Sequence, residues 1–312
     1  MIDELVARLL DGDKWALSRV LSFVENGYPE GREAMKALFG HTGHAHIVGV
    51  TGATGSGKST LVGALAREYR TRERTIGIVA VDPSSPFSRG AVLGDRIRMQ
   101  ELTLDPGVFI RSMATRGALG GLAATTNDVA TVLDAAHKDL IIVETVGAGQ
   151  DEVEVADTAH TTVVISVPGA GDEVQAIKAG ILEIADILVV NKADQPRADI
   201  TAQQLHAFLN LGRDEGWEVP ILKTVAIKGQ GVVELADAID GHRSFLETSG
   251  RLEEARRTRA RRQLLALAQG ELLSRVLASA EANGHLEELV ESIVRRELDP
   301  HTAAQRLIEA AD

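Results

Sequence analysis

The sequence predicts an α/β fold: a mostly parallel central sheet covered by helices on both faces, with a helical segment before it and a helical arm after it. Three observations carry this reading. Seven short apolar runs, HIVGV, TIGIVAV, GVFI, LIIVE, TTVVISV, DILVVN and PILKTV, recur between His46 and Val225 with helical sequence between them. The runs are apolar on both faces, which suits strands covered on both sides rather than a sheet with one wet face. Outside that stretch the β-type runs are absent and apolar residues fall at helical spacing.

The N-terminal segment, residues 1–42, carries Leu5, Leu9, Leu17, Leu21 and Val24 at helical intervals, punctuated by Asp11-Gly12-Asp13 and Gly27-Tyr28-Pro29. Residues 43–240 hold the seven runs and form the expected sheet domain. Residues 241–312 turn to charged helical sequence, from RLEEARRTRARRQLLALAQGELLSRVL to HTAAQRLIEA. Leu264, Leu265, Leu267, Leu272 and Val276 form an apolar stripe suited to packing on the sheet domain or on a second subunit. The basic run Arg256 to Arg262 reads either as a solvated, salt-bridged helix face or as an anion contact.

Composition narrows the function. The 312 residues include 33 Lys+Arg against 45 Asp+Glu, a formal net charge of −12, which argues against a protein that grips nucleic-acid backbones with a basic face. A 44% hydrophobic content supports a full core. The chain has no cysteine, excluding disulfides, thiolate metal sites and cysteine nucleophiles and fitting a reducing cytoplasm. No apolar run approaches the roughly 18 residues of a membrane span, and the start MIDELVARLLDGDKW is acidic and amphipathic, unlike a secretion signal. A cytoplasmic protein with no membrane or nucleic-acid partner is expected. His41, His44 and His46 form a loose cluster that reads as surface histidines rather than a metal site.

The chemistry begins directly after the first run. Gly52-Ala53-Thr54-Gly55-Ser56-Gly57-Lys58-Ser59-Thr60 matches the phosphate-loop pattern G-x-x-x-x-G-K-[ST], with an apolar strand before it and helical LVGALAREY after it. Gly55, Ser56, Gly57 and Thr60 belong to a loop whose backbone N–H groups curl around phosphate oxygens at a positive helix end. Lys58 reaches the β- and γ-phosphates, and the Ser59 hydroxyl ligates Mg²⁺. The fold expectation sharpens to a P-loop NTPase.

Asn191-Lys192-Ala193-Asp194, after the DILVV run, selects the base. A buried carboxylate at Asp194 accepts from the ring N–H and the exocyclic amine of guanine, whereas adenine would present it with an acceptor. Lys192 lays its stem over the base, and Asn191 braces the loop. The segment Lys223 to Gly229, with Val225 and Ala226, offers a backbone N–H to the guanine O6. In LIIVE, Glu144 is placed to hold Mg²⁺ through water, and Gly147 to meet the γ-phosphate. Asp82, closing the second run, and Asp95, in the loop Ser88 to Met99, are either further Mg²⁺ partners or turn residues. The reading is a GTPase binding GTP and GDP with Mg²⁺.

The sets Asp82-Pro83-Ser84-Ser85, Leu93 to Met99, Arg116-Gly117 with Gly120-Gly121-Leu122, Glu144 to Gln150 and Pro168 to Asp172 resemble the methylmalonyl-CoA mutase-associated GTPase family of the MeaB and ArgK type. The resemblance runs from about residue 45 to 230. It implies a homodimeric G-protein chaperone that gates adenosylcobalamin loading from an adenosyltransferase into an acyl-CoA mutase and assists repair of damaged cofactor. It places Lys58, Ser59, Asp82, Asp95 and Glu144 in the Mg-GTP site. It also makes Pro168 to Gly180, with Asp172, Gln175 and above all Lys178, the loop that relays nucleotide state to the mutase. Thr54, Arg89 and Val225 depart from the family's usual Pro, Gly and Ser. Arg111, Arg116 and Gln150 are unranked candidates for completing hydrolysis. Two other readings compete: a nucleotide-dependent kinase or transport ATPase of the arginine and ornithine type, and a GTPase for metal insertion into another enzyme. Asp299-Pro300-His301 imitates part of a cobalamin lower-ligand pattern but reads as a helix start.

Overall fold

The computed structural model describes residues 2–82, 100–114, 121–145, 151–169, 182–209 and 216–310. They divide into two compact units, Met1–Arg257 and Thr258–Asp312.

The first unit opens with α1 (Ile2–Leu10), α2 (Lys14–Glu25) and α3 (Pro29–Leu38). Their breaks fall at the two turn signals, and Asp13 caps α2 by accepting from Trp15 N and Ala16 N, satisfying donors that a helix start leaves open. The strands follow as β1 (His46–Gly52), β2 (Ile76–Asp82), β3 (Val108–Ala114), β4 (Leu140–Glu144), β5 (Thr161–Ser166), β6 (Ile187–Val190) and β7 (Ile221–Lys223). They form one sheet in the order β3-β2-β4-β1-β5-β6-β7, parallel at every pairing. Between them run α4 (Lys58–Thr71), a short α5 (Gln100–Thr103), α6 (Gly121–Ala135), α7 (Asp151–Thr158) and α8 (Ala198–Leu209), and α9 (Val232–Thr248) follows β7.

Alternation along the strands builds two cores. In β4, Leu140 and Ile142 join the cluster under α4 and α9, while Ile141 and Val143 join the cluster under α1 to α3 and α6. Successive strand residues point to opposite faces, so a strand that is apolar throughout needs helices on both sides. Arg111 on edge strand β3 makes a bidentate pair with Glu25 of α2, its Nε 2.7 Å from Oε1. That pair fastens the N-terminal helices to the sheet edge.

Helix α10 (Arg251–Ala282) leads into the second unit, which continues with α11 (His285–Val294) and α12 (Pro300–Glu309). Asp299 caps α12, accepting from His301 N and Thr302 N, so Asp299-Pro300-His301 is a helix start. On α10, Leu264, Leu265, Leu267 and Leu272 are exposed. No helix among the described residues is long and apolar enough to cross a membrane.

The sheet order sets the site. The chain leaves β1 toward β2 and β3, returns to place β4 beside β1, then crosses to β5 on the other side. Ligands of open α/β sheets lie at the carboxyl ends of strands where the winding direction reverses. Those ends carry Gly52, Glu144, Asn191 and Thr224.

Candidate nucleotide site

The phosphate loop joins β1 to α4 through two glycines that this backbone requires. Gly57 has φ +90°, and a Cβ there would lie 2.5 Å from Asn191 Nδ2. Gly52 has φ +141°, with a Cβ position 2.3 Å from Ile165 O. Both backbones sit where a side chain would be strained and would collide. Helix α4 then starts at Lys58, its N-terminus aimed at the loop. Lys58 is buried, and its Nζ donates to Gly52 O at 2.7 Å and to Ala53 O at 3.1 Å. Ser56 Oγ is also buried and has no hydrogen-bond partner among the described residues. A hydroxyl so placed carries a desolvation cost that a phosphate oxygen would relieve.

Ser59 Oγ donates to Glu144 Oε1 at 2.6 Å, and both residues are buried. This brings together a hydroxyl from the start of α4 and a carboxylate oxygen from the end of β4, the hard-oxygen donor set that suits Mg²⁺ shared with a nucleotide's phosphates. Behind them, Thr145 N donates to Val50 O at 3.1 Å and Thr145 Oγ1 to Thr51 Oγ1 at 3.0 Å. These bonds fix the chain leaving β4 to the strand feeding the phosphate loop, a link that no spacing in the sequence announces. Asp82 ends β2 in register with Ala114, and its side chain is outside the described residues. Asp95, Arg116, Gly147, Gln150, Asp172, Gln175 and Lys178 also lie outside them, as does Arg89.

Around the base-reading loop, Asn191 is buried and Nδ2 donates to Ser56 O at 2.8 Å. Its Oδ1 accepts from Thr224 Oγ1 at 3.1 Å and from Ala226 N at 3.2 Å. Lys192, held at φ +56°, donates from Nζ to Gly55 O at 2.8 Å. Its stem therefore spans from the end of β6 to the phosphate loop, beside Asp194. One expectation needs correction here. Asp194 is exposed rather than buried, because the turn after β6 projects beyond the sheet; it pairs with Lys228 Nζ at 3.0 Å, which lowers its pKa. The Ala226 N–H donates to Asn191 Oδ1 at 3.2 Å, and Val225 N donates to Gln230 O at 3.0 Å. Lys228 went unnoticed in the sequence because no motif spacing ties it to Asp194; only the turn at Ala226–Lys228 brings it round.

Arg111 is removed from the hydrolysis candidates by its bond to Glu25 at the sheet edge. His46 is buried rather than on the surface, while His41 and His44 are exposed. Among the described residues no group of three or more His, Cys, Asp or Glu could hold a metal ion by itself.

A phosphate loop after the first of seven parallel strands, with an N-K-x-D loop bonded to it from the end of the sixth, defines the class of P-loop GTPases. Residues 17–281 match the family described as methylmalonyl Co-A mutase-associated GTPase MeaB, and the chain belongs to that family. It is 49% identical to a putative GTPase of Pyrococcus abyssi over 99% of this chain and 96% of that one. It is 31% identical to the GTPase ArgK of Escherichia coli, over 98% and 95% of the two chains. It is 30% identical to the mouse mitochondrial methylmalonic aciduria type A homolog, over 99% and 79%. A crystal structure titled LAO/AO transport system kinase superposes with a TM-score of 0.74 and 26% identity, covering 99% of this chain and 96% of that one. The protein is a GTPase of this family.

Proposed function

We propose that this GTPase acts as a G-protein chaperone that gates adenosylcobalamin loading and repair of an acyl-CoA mutase, with GTP hydrolysis as the timer. The observation that carries the reading is the match to the mutase-associated family over residues 17–281, joined to a nucleotide site whose base loop and phosphate loop are directly bonded through Asn191.

In this reading the loop from Gly55 to Thr60 wraps the phosphates, and Lys58 exchanges its two carbonyl partners for β- and γ-phosphate oxygens. Ser59 and Glu144, with Asp82 and Asp95, hold Mg²⁺, and Gly147 meets the γ-phosphate. An ion held there would supply positive charge against the negative charge developing on the phosphates. Asp194 turns its carboxylate from Lys228 to the guanine N–H groups, and the base stacks under the stem of Lys192. Guanine O6 competes with Asn191 Oδ1 for the Ala226 N–H, beside Val225. Lys178 lies on the loop that reports nucleotide state to the mutase. The exposed leucines of α10 favour a homodimer formed through residues 241–312, since five exposed leucines on one helix are costly in water.

The test is cofactor delivery. Apo-mutase, adenosylcobalamin-loaded adenosyltransferase and this protein are mixed with GTP, GDP or a non-hydrolysable GTP analogue, and cofactor transfer is followed by absorbance. Transfer that depends on the nucleotide state, and is lost in Lys58→Ala, supports the reading. Transfer at one rate in all nucleotide states contradicts it.

A further inference from the structure

A second site lies at the other end of the sheet. His46 opens β1 and Gly52 closes it, so the two ends of that strand are about 20 Å apart. At the His46 end lies a cleft of about 420 Å³ lined by His44, His160, Arg243, Glu247 and Arg256, among others.

The lining is built rather than incidental. The buried carboxylate of Asp134 accepts from the backbone N–H groups of Gly43, His44 and Ala45 at 2.6, 3.1 and 2.9 Å. Three such bonds fix the loop that carries His44. Arg256 Nη2 donates to Gly43 O at 2.9 Å, anchoring that guanidinium by one of its five N–H groups. The one carboxylate among these lining residues, Glu247, already accepts from Arg243 Nε at 2.9 Å. The ring of His160 stacks on His46 with centroids 5.3 Å apart, and its Nδ1 accepts from Ile47 N at 2.9 Å.

Two guanidinium groups therefore line the cleft against the single carboxylate of Glu247, leaving an excess of positive charge and of N–H donors. That excess favours an oxyanion, and two guanidinium groups lining one cleft suit the doubly charged, multi-oxygen face of a phosphate. It stands out on a chain of net charge −12. A cleft of about 420 Å³ falls within the roughly 300–1,000 Å³ range of small-molecule sites and is larger than a bare tetrahedral ion requires. We propose that this cleft is a second ligand site that takes the phosphate of a small phosphate monoester between Arg243 and Arg256, with the organic body filling the remaining volume.

The experiment is calorimetry on the full chain saturated with a non-hydrolysable GTP analogue and Mg²⁺, so that the phosphate loop is filled. The probes are inorganic phosphate, ribose 5-phosphate and ribose. The expected result is saturable binding of ribose 5-phosphate, at least about tenfold tighter than inorganic phosphate, with no heat from ribose. Arg256→Gln and Arg243→Gln each weaken it about tenfold or more while GTP turnover stays at the wild-type rate. Equal affinity for inorganic phosphate and ribose 5-phosphate overturns the monoester assignment. Absence of binding up to about 10 mM, or wild-type affinity in both arginine variants, overturns the site.

Discussion

Asn191 donates its side-chain amide to the backbone carbonyl of Ser56 at 2.8 Å, tying the loop after β6 to the middle of the phosphate loop. The same side chain accepts from Thr224 and Ala226, so one buried amide connects three strand ends. A buried amide with its donors and acceptors satisfied orders its surroundings, and removing it strands each partner.

Asn191→Ala therefore weakens GDP and GTP alike, by roughly 10- to 100-fold for the loss of about 1.5–3 kcal/mol of buried bonding. Equilibrium titration with a fluorescent guanine nucleotide reads this directly. Affinity within a factor of two of the wild type would show that the bridge is not needed for binding.

Asp194 tests base selection. Replacing its carboxylate by an amide turns one acceptor oxygen into a donor, which mismatches guanine but complements a base carrying a carbonyl where guanine has its amine. Asp194→Asn should lose about 100-fold or more in GTP affinity and gain binding of xanthosine triphosphate. Competition binding with both nucleotides checks it, and unchanged preference for GTP would place the base elsewhere.

Arg111 separates structural from hydrolytic roles. Its bidentate bond to Glu25 is mostly buried, with side chains 18% and 17% exposed, so Arg111→Met leaves a carboxylate without its partner. Loss of about 1–3 kcal/mol in denaturant stability is expected, with kcat per folded molecule unchanged. A drop in kcat at full folding would return Arg111 to the nucleotide site.

His242 gives the fold a pH dependence. It is buried at the amino-terminal end of the sheet, with Nδ1 2.8 Å from Thr161 Oγ1, which in turn lies 2.8 Å from His46 Nε2. Burial pushes its pKa from 6.5 down to about 4, despite Asp186 Oδ1 at 3.5 Å from Nε2. The unfolded chain then takes up a proton that the folded chain refuses. Its contribution is intact above about pH 6.5 and is lost as pH falls toward about 4, by up to about 3 kcal/mol. Urea midpoints measured between pH 7.5 and pH 4.5 should fall less steeply in His242→Gln, and equal slopes in the two proteins would contradict the assignment.

Much of this architecture was legible because its signals are local. Seven apolar runs became seven parallel strands, the turns at Asp11 to Asp13 and Gly27 to Pro29 separated three helices, and the phosphate loop lay between a strand and a helix. What escaped the sequence depends on long-range approach. The pairing of Asp194 with Lys228, the bond from the Ala226 N–H to Asn191, and the burial of His46 against Thr161 and His160 join residues that no periodicity relates. Burial of a carboxylate at a strand end is likewise set by how far its turn projects, which separates exposed Asp194 from buried Glu144.

The central claim, a GTP-driven timer for a mutase, is tested most directly by steady-state GTP turnover of the full chain alone and with each candidate adenosylcobalamin-dependent acyl-CoA mutase, with ATP as control. The account predicts slow turnover alone, stimulation by one mutase, and no hydrolysis of ATP. GTP turnover that no mutase alters, or ATP hydrolysed as readily as GTP, would contradict it.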